Sequence, residues 1–196
     1  VPNPVDGSVW LSWVGIPGKI TRTDPKTKLT EVYEPPYLNP ARPNDEAHVP
    51  HGIDVDRATG VIWTGLNSGH YAAFDRRKCK GPLNGPNATG QHCPEGWTLR
   101  QAPGPNFKTV EGSGTADSYY LNWVDWHNAS GLGTNTPILN GTGADAIYAL
   151  GNGKWMTMRV PYPMSFFARG IDGRIDDPKG GWKGRGLWSV YAQDTT

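Results

Sequence analysis

The sequence predicts an all-β protein whose antiparallel, four-stranded sheets are stacked like the blades of a β-propeller. Among 196 residues there are 26 Gly and 18 Pro, together more than a fifth of the chain, which indicates many tight turns. Nine Trp, eight Tyr and four Phe argue against a disordered chain. Short strand-like segments also recur at intervals of 40–50 residues, which is typical of propeller blades.

The recurring element is a tryptophan with Gly shortly before it and Ser or Thr shortly after it. Trp10, Trp63 and Trp155 mark three copies, which are 53 and 92 residues apart, and Trp188 opens a fourth. We therefore predict that Trp10, Trp63 and Trp155 occupy equivalent strands of successive sheets, and that helix content is near zero.

Each copy contains further strand-like segments separated by polar turns. Asp24 and Asp56 begin two of these turns, because an Asp side chain accepts hydrogen bonds from the turn backbone. The segment 144–150 is too short for a helix and is predicted as a strand. The other segments that we predict as strands are 18–24, 29–33, 51–55, 69–75 and 97–101.

A blade cannot bury both of its faces alone, so blades stack around an axis with aromatic side chains between them. The approximate blades are 1–49, 50–110 and 111–185, with the start of another at 186–196, all within one domain over 1–196. Closed propellers have about four to eight blades. We therefore expect three to four blades in an incomplete arc, partnered by the remaining blades of the same parent protein or by other chains.

Net charge and hydropathy exclude several partners. The net charge is +1, which gives no strong attraction to nucleic acid or to an anionic membrane surface. No apolar run approaches the roughly 20 residues of a membrane span. A small-molecule or carbohydrate ligand remains the expected kind of partner, besides further blades.

The two cysteines, Cys79 and Cys93, flank a Gly- and Pro-rich stretch. A disulfide between them would close a 15-residue loop and stabilise the fold by about 3 kcal/mol. The alternatives are two free thiols or a metal pair assisted by His92, although zinc prefers four closely spaced ligands. A disulfide predicts a secreted or periplasmic protein, and sequons at Asn87, Asn128 and Asn140 are compatible with a secreted glycoprotein.

Four short segments follow a shared repeat pattern, and they are Pro50-His51-Gly-Ile-Asp, Val61-Ile-Trp-Thr, Val9-Trp-Leu-Ser and Gly18-Lys-Ile-Thr-Arg. They resemble the repeats of streptogramin B lyase, the virginiamycin B lyase-like propeller family. That family repeats a Pro-His/Tyr-Gly-Ile segment, a Leu-Trp-Phe-Thr segment and a Gly-Lys-Ile-Gly-Arg segment. The chain is also similar, from Pro50 onwards, to the C-terminal part of larger secreted bacterial propeller proteins of unknown role.

The resemblance implies a base at His51 and a divalent cation, Mg²⁺ or Ca²⁺, at the propeller axis. In the family, a Glu-Pro-His-Gly motif helps to hold Mg²⁺, and its Glu lies two residues before the His. Val49 occupies that position here, so this sequence departs from the metal-binding motif.

His48 and His51, with Glu46 upstream, form the densest polar cluster ahead of a predicted inner strand. Imidazoles beside carboxylates can bind a cation or act as a general base. A solvated inter-blade loop explains the same residues without function. His127 with Asp125 is a second candidate ligand-binding pair.

Other candidates are weaker. We expect His70 to be a packing or surface residue and His92 to be solvated. Asp172, Asp176 and Asp177 could offer oxygen ligands to Ca²⁺, but turn formation explains them equally well. The aromatic segment 161–167 could form a carbohydrate platform, or it could pack between blades.

Two functions remain open from the sequence. The first is a secreted propeller segment that acts as a ligand- or partner-binding module or scaffold. The second is a metal-dependent lyase or lactonase-like enzyme whose site lies at the propeller axis. The absence of Glu at position 49 favours the first.

Overall fold

A computed structural model describes the protein over residues 1–105, 115, 117–142, 144–161, 167–181 and 183–192. The described residues contain thirteen β-strands and two 3₁₀ turns, Arg76–Lys78 and Pro94–Gly96, and no α-helix. No helix in these ranges is long and apolar enough to cross a membrane. The all-β prediction is confirmed.

The strands form four antiparallel sheets in chain order. The first sheet contains β1 (Val9–Trp13), β2 (Lys19–Thr23) and β3 (Thr30–Tyr33). The second contains β4 (Pro50–Val55), β5 (Ile62–Leu66), β6 (His70–Phe74) and β7 (Trp97–Gln101). The third contains β8 (Asn122–Asp125), β9 (Thr136–Gly141), β10 (Ala146–Gly151) and β11 (Lys154–Arg159), and the fourth β12 (Phe167–Arg174) and β13 (Gly186–Ala192).

The first strands of the second, third and fourth sheets lie side by side, since β4 contacts β8 and β8 contacts β12. They are the inner strands of successive propeller blades. In the first sheet, Val1 and Pro2 take this inner position. Pro2 forms an isolated β-bridge with Val9, and the Trp10 amide donates to the Val1 carbonyl at 2.8 Å. Val1 therefore lies opposite Trp10, just as Asp54 lies opposite Trp63 in the second sheet. Trp10 and Trp63 are therefore equivalent, as predicted.

The prediction for Trp155 is wrong, because this residue lies on β11, the outer strand of the third sheet. The equivalent of Trp63 there is Ile138, which pairs with Trp123 across the first two strands. Trp155 resembles the other copies because a tight turn at Asn152 and Gly153, both with positive φ, places a Gly shortly before it.

The fourth sheet begins earlier in the chain than the sequence indicated. β12 starts at Phe167 and pairs with β13, so no new unit starts at residue 186. In this pairing Trp188 lies opposite Asp172, as Trp63 lies opposite Asp54. Trp188 is thus the fourth-sheet equivalent of Trp10 and Trp63.

Aromatic packing joins the first sheet to the second. The Trp10 ring stacks on Tyr33 with centroids 6.0 Å apart, and Tyr33 lies 4.5 Å from Phe74 of β6. Phe74 in turn contacts Trp97 at 4.9 Å. All four rings are buried, and Trp10 also donates its indole N–H to Ser8.

A buried charge network joins the same two sheets. The Glu31 carboxylate on β3 accepts two 2.6 Å hydrogen bonds from Arg76, which follows β6. It also accepts from the Tyr33 hydroxyl at 2.8 Å and pairs with Arg22. Because Glu31 is buried, each partner offsets part of the cost of removing its charge from water.

We expect Trp10→Ala to lower the free energy of unfolding by about 3–5 kcal/mol, since it leaves a cavity between two sheets. Leu29→Ala, at an exposed turn, is the matched control and should change it by less than about 1 kcal/mol. Chemical denaturation followed by circular dichroism measures both. Equal effects of the two substitutions would contradict this account of the interface.

Candidate functional site

The candidate residues are divided between the two ends of the inner strands. β4 and β8 run in the same direction, since the Gly52 amide donates to the Tyr120 carbonyl and the Val124 amide donates to the Asp54 carboxylate. His51 lies where β4 begins, whereas Asp125 ends β8. Glu46, His48 and His51 therefore do not share a site with Asp125 and His127, which lie at the opposite end.

His51 stacks on Tyr120 at the start of the two neighbouring inner strands. Their ring centroids are 4.4 Å apart and the ring planes differ by 27°. The carbonyl of His51 accepts a hydrogen bond from the Ser12 hydroxyl of β1. Both rings are half-buried. Each ring therefore covers one face of the other, which leaves the ring edges and the outer ring faces for any further contact.

Gly52 allows the two inner strands to approach this closely. A Cβ at this position would lie 2.7 Å from the Leu121 Cα and 2.9 Å from the Asn122 amide nitrogen. Any side chain would therefore force β4 away from the segment that carries Tyr120. The Gly of the Pro-His-Gly-Ile motif is thus required by packing between sheets.

The loop over residues 34–49, which we call the entry loop, carries Glu46 and His48 into β4. The His48 ring meets Tyr37 edge-on, with centroids 5.6 Å apart, and its amide donates to the Ser68 hydroxyl. The same hydroxyl contacts Nδ1 of His70 at 3.1 Å. His48 and His70 therefore share one serine, and His70 is buried on β6.

The side chains near His51 do not provide a metal site. Among the described residues, no three His, Cys, Asp or Glu side chains come close enough to hold a metal ion. Glu46 is exposed, and Val49 is buried with a backbone φ of 56°, a conformation that β-branched residues rarely adopt. The described residues around His51 therefore do not fit the divalent cation that the resemblance implies.

Asp125 shapes a loop at the far end of the third sheet. Its buried carboxylate accepts hydrogen bonds from the amides of Ala129 and Ser130, both at 2.8 Å, and also from the Ser130 hydroxyl. These donors occupy both oxygens. His127 lies against Trp126, whose ring also carries the Arg57 guanidinium 3.5 Å from its centroid. A ligand role for His127 remains a prediction.

The acidic residues of the fourth sheet accept hydrogen bonds from backbone amides, Asp172 within β12 and Asp176 and Asp177 between β12 and β13. Asp172 and Asp177 accept hydrogen bonds from backbone amides one to three residues further on, and Asp176 accepts from Gly184. Residues 162–166 of the proposed aromatic platform lie outside the described residues. Of the three sequons, Asn87 is exposed, whereas Asn140 is fully buried and accepts from the Leu121 amide.

Cys79 and Cys93 form the predicted disulfide, and the loop between them lies between β6 and β7 as predicted. This disulfide loop contacts the entry loop through Gly90 and Gln91. The Gly90 carbonyl accepts from the Glu34 amide at 2.7 Å, and Gln91 donates to the carbonyls of Pro35 and Tyr37. Tyr37 is the residue whose ring contacts His48.

Two further contacts fix the entry loop on the second sheet. The Asn39 amide donates to the Gln91 side chain at 2.7 Å. Arg42 donates to the carbonyls of Pro94 and Trp97 at 3.0 and 2.7 Å and also pairs with Asp45. His92 is half-buried rather than solvated, with its ring 5.3 Å from Tyr33.

Burial lowers the pKa of the histidines in this region, because a charged imidazole is poorly solvated there. The lowered pKa values belong to His48, His51, His70 and His92. Burial is the largest cause for each of them, and nearby carboxylates such as Glu46 only partly oppose it for His48. The lowered pKa values favour the neutral form of the imidazoles around the entry loop.

No protein-family model matches the chain, and no curated protein matches its sequence. Two crystal structures of virginiamycin B lyase from Staphylococcus aureus match its fold, one of a catalytically inactive variant with quinupristin and one selenomethionine-substituted. The first has a TM-score of 0.56 and covers 96% of this chain, and the second has a TM-score of 0.52 and covers 100%.

The fold is that of a virginiamycin B lyase-like propeller. Sequence identity to both structures is 14%, so the likeness concerns the fold alone. The chain spans 54% and 59% of the length of the two matched chains.

Sequence reasoning identified His51 and His48 but not their neighbours. Tyr120 could have been found by aligning the two inner strands. It lies two residues before Asn122 of β8, as His51 lies two residues before Ile53 of β4. Ser12, Ser68 and Tyr37 could not, because only the folded sheets and loops bring them to the histidines.

Reduction of the disulfide should loosen the entry loop. We expect about 3 kcal/mol less stability, and faster hydrogen exchange over residues 34–49 in the reduced chain or in a Cys79→Ser/Cys93→Ser variant. The β8–β11 sheet serves as the internal control. Unchanged exchange in the entry loop would show that the disulfide loop does not support it.

Acidification from about pH 7 to about pH 5.5 should lower the free energy of unfolding, because the unfolded histidines take up protons that the folded ones resist. The raised pKa of Glu34 and Asp54 acts in the opposite direction, so variants are needed. His70→Gln should reduce the pH dependence in urea denaturation. If the free energy of unfolding of the variant depends on pH as strongly as that of the parent chain, His70 is not a source of this pH dependence.

Proposed function

We propose that this chain is a propeller segment that binds a small molecule at the His51 end of its inner strands, without metal chemistry of its own. The observation that supports this most is the stack of His51 on Tyr120, two half-buried rings at the start of adjacent inner strands. The outer face of a stacked ring pair can bind a further planar or apolar ring by extending the stack.

The entry loop gives this surface a polar border. His48 and Glu46 lie on the loop that leads to His51, and the disulfide loop holds it through Gln91. Neutral imidazoles can both donate and accept hydrogen bonds. The ligand we propose therefore has an aromatic or apolar ring beside hydrogen-bonding groups.

A disulfide is compatible with an oxidising compartment, and we propose a secreted or periplasmic location on that basis. The lyase or lactonase-like alternative has less support, because the donor set for a cation is missing among the described residues.

Quinupristin, the molecule named with one of the matched structures, is the first probe. We expect its addition to shift the amide resonances of residues 48–49, 51–52 and 119–121. His51→Ala and Tyr120→Ala should weaken binding by about tenfold each, the loss of one stacking contact. His127→Ala, at the opposite end, is the matched control.

Recovery of quinupristin by mass spectrometry separates the two functions. Unchanged molecular structure after long incubation supports a binding module, and a His51-dependent covalent change supports the enzyme alternative. Resonance shifts confined to the His127 end, or no binding of quinupristin or of indole-sized fragments, would overturn the proposed site.

A further inference from the structure

The three interfaces between sheets inside the chain follow one register. Trp10 of β1 packs on Ile62 and Leu66 of the second sheet. Its equivalent Trp63 packs with Leu139 of the third sheet, and Ile138 packs with Leu187 of the fourth. The strand next to the inner strand is β1, β5 or β9 in these three sheets. Every other residue of this strand faces the following sheet, and the residues between them face the opposite side.

This register leaves two apolar surfaces uncovered. On β1, the alternating residues Val9, Leu11 and Trp13 are 40%, 48% and 51% exposed. The residues at the same positions of β5, Ile62, Thr64 and Leu66, are fully buried against the first sheet. We call Val9, Leu11 and Trp13 the leading face.

The other surface is Trp188 on β13, which is 63% exposed. Its equivalents Trp10 and Trp63 are 1% and 9% exposed, because each is covered by the sheet that follows. We call the Trp188 side of the fourth sheet the trailing face. The leading and trailing faces are the two halves of one further interface of the kind already formed three times within the chain.

We propose that a second copy of this chain covers these surfaces head to tail, with Trp188 of one copy packed on Val9, Leu11 and Trp13 of the other. The chain itself carries both halves of the interface, so no different partner surface is needed. It also matches 54–59% of the length of virginiamycin B lyase, so two copies supply about the length of one such propeller.

Charge does not oppose this association. The net charge of +1 gives little repulsion between copies, and the leading-face residues are uncharged. A head-to-tail contact uses two different faces, so two copies related by a two-fold axis would form it twice. The proposal does not depend on ligand binding at the His51 end.

Light scattering after size exclusion tests it on the oxidised chain at micromolar concentrations. We expect a mass of twice the 21.4 kDa chain at high concentration. Leu11→Asp and Trp188→Asp should each raise the dissociation constant at least about tenfold, since each buries a charge in the contact. Leu29→Asp, at an exposed residue between β2 and β3 that belongs to neither face, should leave it unchanged.

Mixing the variants tests the head-to-tail geometry and controls for misfolding. A Leu11→Asp chain retains its trailing face and a Trp188→Asp chain its leading face, so the mixture should form one intact contact and recover a dimer. The Leu11→Asp/Trp188→Asp double variant should not rescue either one. A monomeric parent chain, or a dimer insensitive to both substitutions, would overturn the proposal.

Discussion

The structure depends on a strict alternation of side chains along the second strand of each sheet. In a β-strand, neighbouring residues point to opposite faces, so a one-residue shift would exchange the two inter-sheet surfaces. Trp10 and Trp63 keep the same position relative to the inner strand in their sheets, and both are buried. This shared register lets successive sheets pack with similar geometry although their sequences differ.

The inner strands add a second constraint, which the site uses directly. The Asp54 carboxylate accepts from the amides of Val55 and Val124 and so links β4 to β8, while Gly52 permits the close approach of the same strands. Burial raises the pKa of Asp54, although the hydrogen bonds from these two amides act to lower it. His51 and Tyr120 stack because the backbones that carry them are joined in this way.

The sequence predicted the elements whose signals are local. The turns at Asp24 and Asp56 form as expected, with each carboxylate accepting from amides two and three residues ahead. The disulfide was also predictable, since its Gly- and Pro-rich loop has little core of its own. Trp155 misled because a Gly-containing turn precedes many strands, whichever position the strand takes in its sheet. Ile138 is the residue that occupies the position of Trp63 in the third sheet, but it is not a tryptophan, so the repeat pattern does not reveal it.

The candidate site was only half predictable for a related reason. His48 and His51 are neighbours in sequence, whereas Tyr120 and Ser68 reach them through strand pairing and loop contacts. Asp125 looked like a ligand because it neighbours His127, yet the loop after β8 needs its carboxylate as an acceptor for three donors. In a propeller, both ends of every inner strand carry polar loops, and sequence spacing alone does not separate residues that bind from residues that hold a turn. The entry loop is held by the Gln91 side chain of the disulfide loop, which donates to carbonyls of the entry loop, and by its own Arg42, which donates to a carbonyl of the second sheet.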